Sequence, residues 1–291
     1  MPAQTSRLLI KPELTRPEYQ QVTPASAGWE HLYFSAVKLR TGEQWSFDTA
    51  DNELALIILG GTCDVISTAG EYLNLGSRTD VFNGMPTTLY LPRGIQFTVK
   101  PKTPTVDFAC GWAKTDKDRQ PVLVRPEEVT VEIRGGDNAT RQINKMIPPG
   151  FACDRLVVVE VYTPSGNWSS YPPHKHDRRM IDTNWNLIEA DLEEVYFYKI
   201  SKPEGFAYQR IYNDDRSLDE LMLVSDNDLV LSPEGYHPVV AGQGYNVYYL
   251  NILAGSDQSL ASTDDPKHAW VKDSWKEKDP RLPLVTIDMN K

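Results

Sequence analysis

Tyr171-Pro-Pro-His174-Lys-His176-Asp177, followed by Leu192-Glu-Glu194-Val-Tyr196-Phe-Tyr198, is the stretch on which the reading of this chain turns. In an extended backbone, residues i and i+2 point to one face. His174 and His176 therefore offer two imidazoles to one point, and Lys175 is expected to face outward. Glu194 opens a second strand-like run, Val195 to Ile200. His237 follows the turn Pro233-Glu-Gly235-Tyr and leads into another such run. Three neutral imidazoles and one carboxylate suit a divalent transition metal: Zn, Mn, Fe or Ni. An isolated His-x-His is a weak signal. With a strand-borne glutamate and a turn-borne histidine it becomes specific, and His174, His176, Glu194 and His237 are the expected metal ligands.

The chain has 291 residues and a formal net charge of −10. That length allows one large or two ordinary domains. The acidic balance argues against nucleic acid or an anionic membrane as partner. A small anionic substrate remains compatible, because a bound cation and a local arginine reverse the sign inside a pocket. No apolar run reaches membrane-spanning length, and residues 1–7 lack a signal-peptide core. Cys63, Cys110 and Cys153 are odd in number and widely spaced, which reads as reduced thiols in a cytoplasmic protein.

Short β-rich runs separated by Gly, Pro, Asn and Asp dominate, and they predict an all-β fold of sandwich or barrel type. The first set runs from His31 to Cys110 and the second from Val129 to Leu253. We expect an N-terminal barrel without a metal site over 1–120 and a metal-binding barrel over 121–270. A tail, 271–291, is expected to pack on the barrels. One helix is expected, over Asn138 to Met146. The sets resemble each other: Glu53-Leu-Ala-Leu-Ile-Ile overlays Glu194-Val-Tyr-Phe-Tyr-Lys, and Leu91-Pro-Arg-Gly-Ile-Gln96 overlays Ser232-Pro-Glu-Gly-Tyr-His237. An internal duplication with one functional copy accounts for this.

Two barrels, His-x-His, a later strand-borne Glu and a Pro-x-Gly-x-His turn resemble the cupin superfamily in its two-barrel, bicupin form, with jelly-roll-like β-barrels. The segment Asp177 to Glu193 departs from the generic cupin motif and leaves Glu193 and Glu194 both open as the ligand; the residue directly before Val-Tyr is the usual one. Ser169-Ser-Tyr-Pro-Pro-His-Lys-His-Asp, Leu192-Glu-Glu-Val-Tyr-Phe-Tyr-Lys-Ile, Gln209-Arg-Ile-Tyr-Asn-Asp-Asp-Arg and Gly235-Tyr-His-Pro together resemble the 5-deoxy-glucuronate isomerase family. The resemblance implies an aldose–ketose isomerase of inositol catabolism with a divalent metal and a small sugar-acid substrate. It would convert 5-deoxy-D-glucuronate to 5-dehydro-2-deoxy-D-gluconate. A related ketol-isomerase acting on 4-deoxy-L-threo-5-hexosulose uronate and a cupin dioxygenase are the alternative activities. Cupins associate through sheet edges, so a homodimer is expected.

Alternation from Glu194 sends Tyr196 and Tyr198 to the same inner face and Glu193 outward. Tyr196 and Tyr198 are therefore pocket candidates. Along the next strand Tyr208, Arg210 and Tyr212 share a face, and Arg210 is the candidate for the substrate carboxylate, which a guanidinium binds bidentately. The general base is left among Asp177, Glu193, Glu220 and the pocket tyrosines. Trp168 and Trp185 are candidates to roof the site.

Overall fold

A computed structural model describes residues 6–290. The first strands are β1 (Leu9–Ile10), β2 (Glu18–Val22), β3 (Leu32–Arg40), β4 (Trp45–Asp48), β5 (Asn52–Gly60), β6 (Cys63–Ser67), β7 (Gly70–Leu75) and β8 (Thr87–Leu91). They are followed by β9 (Gln96–Pro101), β10 (Thr105–Lys114), β11 (Val122–Val124), β12 (Thr130–Arg134), β13 (Arg141–Ile147), β14 (Val157–Thr163), β15 (Trp168–Ser169) and β16 (His174–Lys175). The last are β17 (Asp177–Ile181), β18 (Leu187–Ile200), β19 (Ala207–Tyr212), β20 (Asp219–Val224), β21 (Leu229–Ser232), β22 (Val239–Ala241), β23 (Val247–Gly255) and β24 (Thr263–Asp264). No helix among the described residues is long and apolar enough to cross a membrane.

These elements form two compact units. The N-terminal unit comprises 12–130, 145–158 and 285–290; the C-terminal unit comprises 6–11, 131–144 and 159–284. The N-terminal unit has a six-stranded sheet, β11-β8-β5-β10-β3-β2, and a four-stranded sheet, β4-β9-β6-β7. The C-terminal unit repeats this plan. Its large sheet runs β1-β21-β18-β23-β14-β13-β12, with β17 added on β18, and its small sheet runs β15-β22-β19-β20. Each strand of the first pattern has a counterpart in the second: β5 lies between β8 and β10 as β18 lies between β21 and β23. The fold is the expected all-β bicupin.

The two interiors differ in chemistry. In the N-terminal unit Leu54, Leu56 and Ile58 of β5 meet Phe97 and Val99 of β9 and Phe108 of β10 in one buried apolar cluster. Each such side chain contributes about 1.5–3 kcal/mol by leaving water. β4 shows the period-two pattern that builds this sandwich, with Trp45 and Phe47 packed inward and Ser46 and Asp48 exposed. In the C-terminal unit, β18 instead turns Glu194, Tyr196 and Tyr198 inward.

Register corrects one sequence expectation. Leu54 stands opposite Leu91 and Trp112, and Glu194 opposite Ser232 and Leu253. Leu91 and Ser232 each directly precede the Pro-x-Gly turn, so the counterpart of Glu194 is Leu54, not Glu53. A slip of one residue reverses the face. The Glu53 carboxylate points away from the apolar cluster and accepts hydrogen bonds from the Asp154, Arg155 and Leu156 N–H groups (2.8, 2.7 and 3.0 Å) and from Tyr90 Oη (2.9 Å).

The expected helix over 138–146 is absent. Asp137–Ala139 form a single 3-10 turn and the rest enters β13, between β12 and β14. Six of its seven residues are buried, on both faces, and sheet pairing overrides the local helix preference. The long segment between His176 and Glu194 is a hairpin: β17 folds back on the first half of β18. Glu194 therefore lies within a 14-residue strand rather than at its start.

Candidate metal centre

The cluster is assembled from three pieces of the C-terminal unit. β16 and the residue after it bring His174 and His176, β18 brings Glu194, and the turn before β22 brings His237. The ligand atoms of His176, Glu194 and His237 lie within 4.8 Å of one another, and all three residues are buried. His176 Nε2 is 3.1 Å and His237 Nε2 3.5 Å from Glu194 Oε2. His174 is outside this tight set but adjoins it, its ring 5.0 Å from that of His237 and nearly perpendicular at 76°.

Each imidazole is oriented through its other nitrogen. Nδ1 of His174, His176 and His237 lies 3.3, 3.1 and 2.8 Å from the carbonyl oxygens of Pro172, Leu192 and Gly235. An Nδ1–H donated to a carbonyl leaves the Nε2 lone pair free to bind a metal. His237 Nε2 is fully buried and has no hydrogen-bond partner among the described residues. Buried polar atoms without partners are rare, and this one faces a carboxylate and two more imidazoles. Burial also holds His174 and His237 neutral, pulling each pKa down to about 3; neighbouring histidines add to the effect. For His176 burial acts the same way, but the Glu194 carboxylate outweighs it and raises the pKa. The donor set fits a divalent transition metal.

The surroundings fix these elements. Lys175 turns away from the two imidazoles, as alternation requires, but not into solvent. It is buried, with Nζ 2.5 Å from Asp177 Oδ1 and 3.2 Å from Glu189 Oε1. Asp177 in turn accepts the Gly235 N–H at 2.9 Å, which ties the His-x-His strand to the turn carrying His237. Ser170 sits at φ 48°, a conformation that costs a non-glycine residue about 1–3 kcal/mol. The strained position sets its hydroxyl 3.2 Å from both Tyr196 Oη and Tyr249 Oη.

Tyr196 and Tyr198 are buried on the Glu194 face. The Tyr196 ring is 5.7 Å from that of His237, and Tyr198 Oη donates to Gln209 Oε1 at 2.8 Å. Burial raises both phenols well above the usual range, so they stay protonated. Arg210 departs from the expected role. It lies on the outer face of β19, stacked 4.4 Å from the Tyr212 ring centroid, with Nε and Nη2 each 2.7 Å from the Asp219 carboxylate. Its two neighbours on that strand, Gln209 and Ile211, are the buried ones. Among the base candidates, Asp177 is held by Lys175 and Glu220 is bonded to Ser6. Trp185 is at the tip of the β17–β18 hairpin, 83% exposed, and Trp168 packs against Tyr171 with centroids 5.0 Å apart and the rings tilted by 49°. His268 is not part of the cluster; its Nε2 is 4.0 Å from Asp265.

The sequence reading misses Tyr249, Ser170, Gln209 and Arg141. Tyr249 pairs directly with Tyr198 across β18 and β23. Its pairing depends on long-range register, which local pattern does not reveal.

Residues 8–271 match the model of the KduI/IolB family. A relative from Geobacillus thermodenitrificans, named 5-deoxy-glucuronate isomerase, is 41% identical over 256 residues, covering 87% of this chain and 91% of the relative. The crystal structure of an IolB-like protein from Salmonella typhimurium superposes with a TM-score of 0.87 at 34% identity, covering 91% of this chain and 99% of that one. Bacillus subtilis oxalate decarboxylase, a protein with Mn(II) centers, gives a TM-score of 0.61 at 12% identity over 90% and 80% of the two chains; that likeness concerns the fold alone. The two-barrel plan and the cluster thus occur in a chain matched almost end to end, and it belongs to the KduI/IolB family.

Proposed function

We propose that this protein is a metal-dependent aldose–ketose isomerase acting on 5-deoxy-D-glucuronate and forming 5-dehydro-2-deoxy-D-gluconate. The observation that carries the reading is the convergence of His176, Glu194 and His237, with His174 beside them, in a member of a family whose relatives bear the isomerase name. His174, His176, Glu194 and His237 would hold the metal. A divalent cation there would act as a Lewis acid on the sugar oxygens at C1 and C2.

The reaction removes a proton from C2 and returns one to C1, while negative charge develops on the oxygens between. The chain's own residues serve those needs in distinct ways. The neutral His174 and His237 add no competing positive charge. Tyr196 stays protonated beside His237 and can donate its Oη–H to a developing oxyanion. Ser170 holds that hydroxyl in place, and Tyr249 in turn holds Ser170. The buried walls exclude water and strengthen each of these interactions. A cytoplasmic setting and a sugar-acid substrate belong to the same proposal.

Proton NMR in deuterated water with 5-deoxy-D-glucuronate tests it. The expected result is accumulation of the 2-deoxy-5-keto acid with deuterium on its terminal hydroxymethyl carbon, which was C1 of the substrate. Turnover of 4-deoxy-L-threo-5-hexosulose uronate in its place would move the assignment to the related ketol-isomerase. Consumption of oxygen would move it to a dioxygenase.

A further inference from the structure

Two large cations of the C-terminal unit compete for the acid end of such a substrate, and the structure separates them. Arg210 is half-exposed and already forms a bidentate pair with Asp219. Arg141, on β13, is 5% exposed and bonds only to backbone. Its Nη1 donates to the carbonyls of Tyr171 (3.0 Å) and Ala139 (3.3 Å). The guanidinium also lies against Gly135, where a Cβ would come within 2.9 Å of Nη1. Nε and Nη2 have no partner among the described residues, yet neither is sealed off completely. Another buried arginine shows the contrast. Arg78 of the N-terminal unit directs Nε and Nη2 to the Ile58 carbonyl and Nη1 to that of Gly84.

Arg141 is placed beside the cluster. Its partner Tyr171 is three residues before His174. Arg141 is also within electrostatic reach of His174, Tyr196 and Tyr249. The Glu132 carboxylate, whose charge also reaches it, is bound by Nε and Nη2 of Arg134 at 2.7 and 3.0 Å. A buried guanidinium without an anion is costly, and its open Nε–Nη2 edge has the fork geometry that matches a carboxylate.

We propose that Arg141 binds the carboxylate of the sugar-acid substrate through Nε and Nη2, and so selects acids over neutral sugars. This rests on the isomerase reading of the adjoining cluster. The test compares wild type, Arg141→Gln and Arg141→Lys on 5-deoxy-D-glucuronate and on the neutral analogue with a hydroxymethyl group in place of the carboxylate. Calorimetry adds the affinity for the C1-reduced acid, which keeps the carboxylate and cannot isomerise. The expected result for Arg141→Gln is a fall of about 100-fold in the acid-to-neutral ratio of kcat/KM, with a similar loss of affinity for the reduced acid. Arg141→Lys, which keeps charge but not the fork, should lose about tenfold in both, and it serves alone if the glutamine variant does not fold. Arg210→Ala should leave the ratio unchanged. An equal loss on both substrates, or unchanged binding of the reduced acid, overturns the proposal. If wild type turns over neither sugar, the isomerase reading fails, and calorimetry still decides whether Arg141 binds the carboxylate.

Discussion

His237 combines the features that a metal ligand needs. Its Nδ1 is held by the Gly235 carbonyl, its Nε2 faces Glu194, and full burial keeps the ring neutral. Replacing it leaves two close ligands and the more distant His174. Loss of a group that only orients a ligand typically costs 10–100-fold in metal affinity, so a ligand itself should cost more. His237→Ala should weaken metal binding by more than about 100-fold, read by competition with a chromophoric chelator, and should abolish turnover. The pattern His-x-His, Glu, His was legible in the sequence because periodicity and turn chemistry are local. The place of Arg210 is less legible, for a related reason. Alternation groups it with Tyr208 and Tyr212 on one face of β19 but does not tell which face is inward; Tyr208 is exposed and Tyr212 is buried. The ion pair with Asp219, nine residues away on the neighbouring strand, settles that.

At the scale of elements, β5 and β18 show the same strand used for two ends. β5 sends leucine and isoleucine into an apolar interior, and β18 sends a carboxylate and two phenols into a polar one. The overlay of Glu53 on Glu194 found the right strands and missed the register by one residue, which ladder pairing fixes and sequence similarity does not. Glu53 is a structural carboxylate. Four donors converge on it, three of them backbone N–H groups. Each donor left unsatisfied costs about 1–3 kcal/mol, less where water can enter. Glu53→Ala should therefore lower unfolding free energy by about 3–5 kcal/mol in denaturant titrations, with no change in the metal content of the folded protein. The strand β13 was mistaken for a helix because its environment, buried on both faces inside a sheet, is set by distant segments.

At the scale of the molecule, one strand plan is built twice, and sequence periodicity was enough to reveal the all-β class and the duplication. The exchange by which β1 joins the C-terminal unit through β21 was not legible, since a two-residue strand carries almost no pattern. The N-terminal interior also makes a pH prediction. Cys63 is sealed in the apolar cluster, where burial, aided by the charge of Asp64, pushes its thiol up to about 12. The unfolded chain's thiol ionises near 9. The stabilisation is complete below that value and is lost as pH rises toward about 12, by at most about 1.4 kcal/mol per pH unit from this group. Denaturant titrations should show a shallower alkaline decline for Cys63→Ala than for wild type, and native Cys63 should resist alkylation at pH 8.

On the proposed reading, a single metal centre in the C-terminal unit carries sugar-acid isomerisation. The most direct measurement strips the protein with a chelator, adds back Mn(II), Fe(II), Ni(II) or Zn(II), and follows isomerisation of 5-deoxy-D-glucuronate against metal added. We predict no turnover in the stripped chain, recovery that levels off at one equivalent per chain, and no recovery in Glu194→Ala. Full turnover by the stripped chain, or recovery in Glu194→Ala equal to wild type, would contradict it.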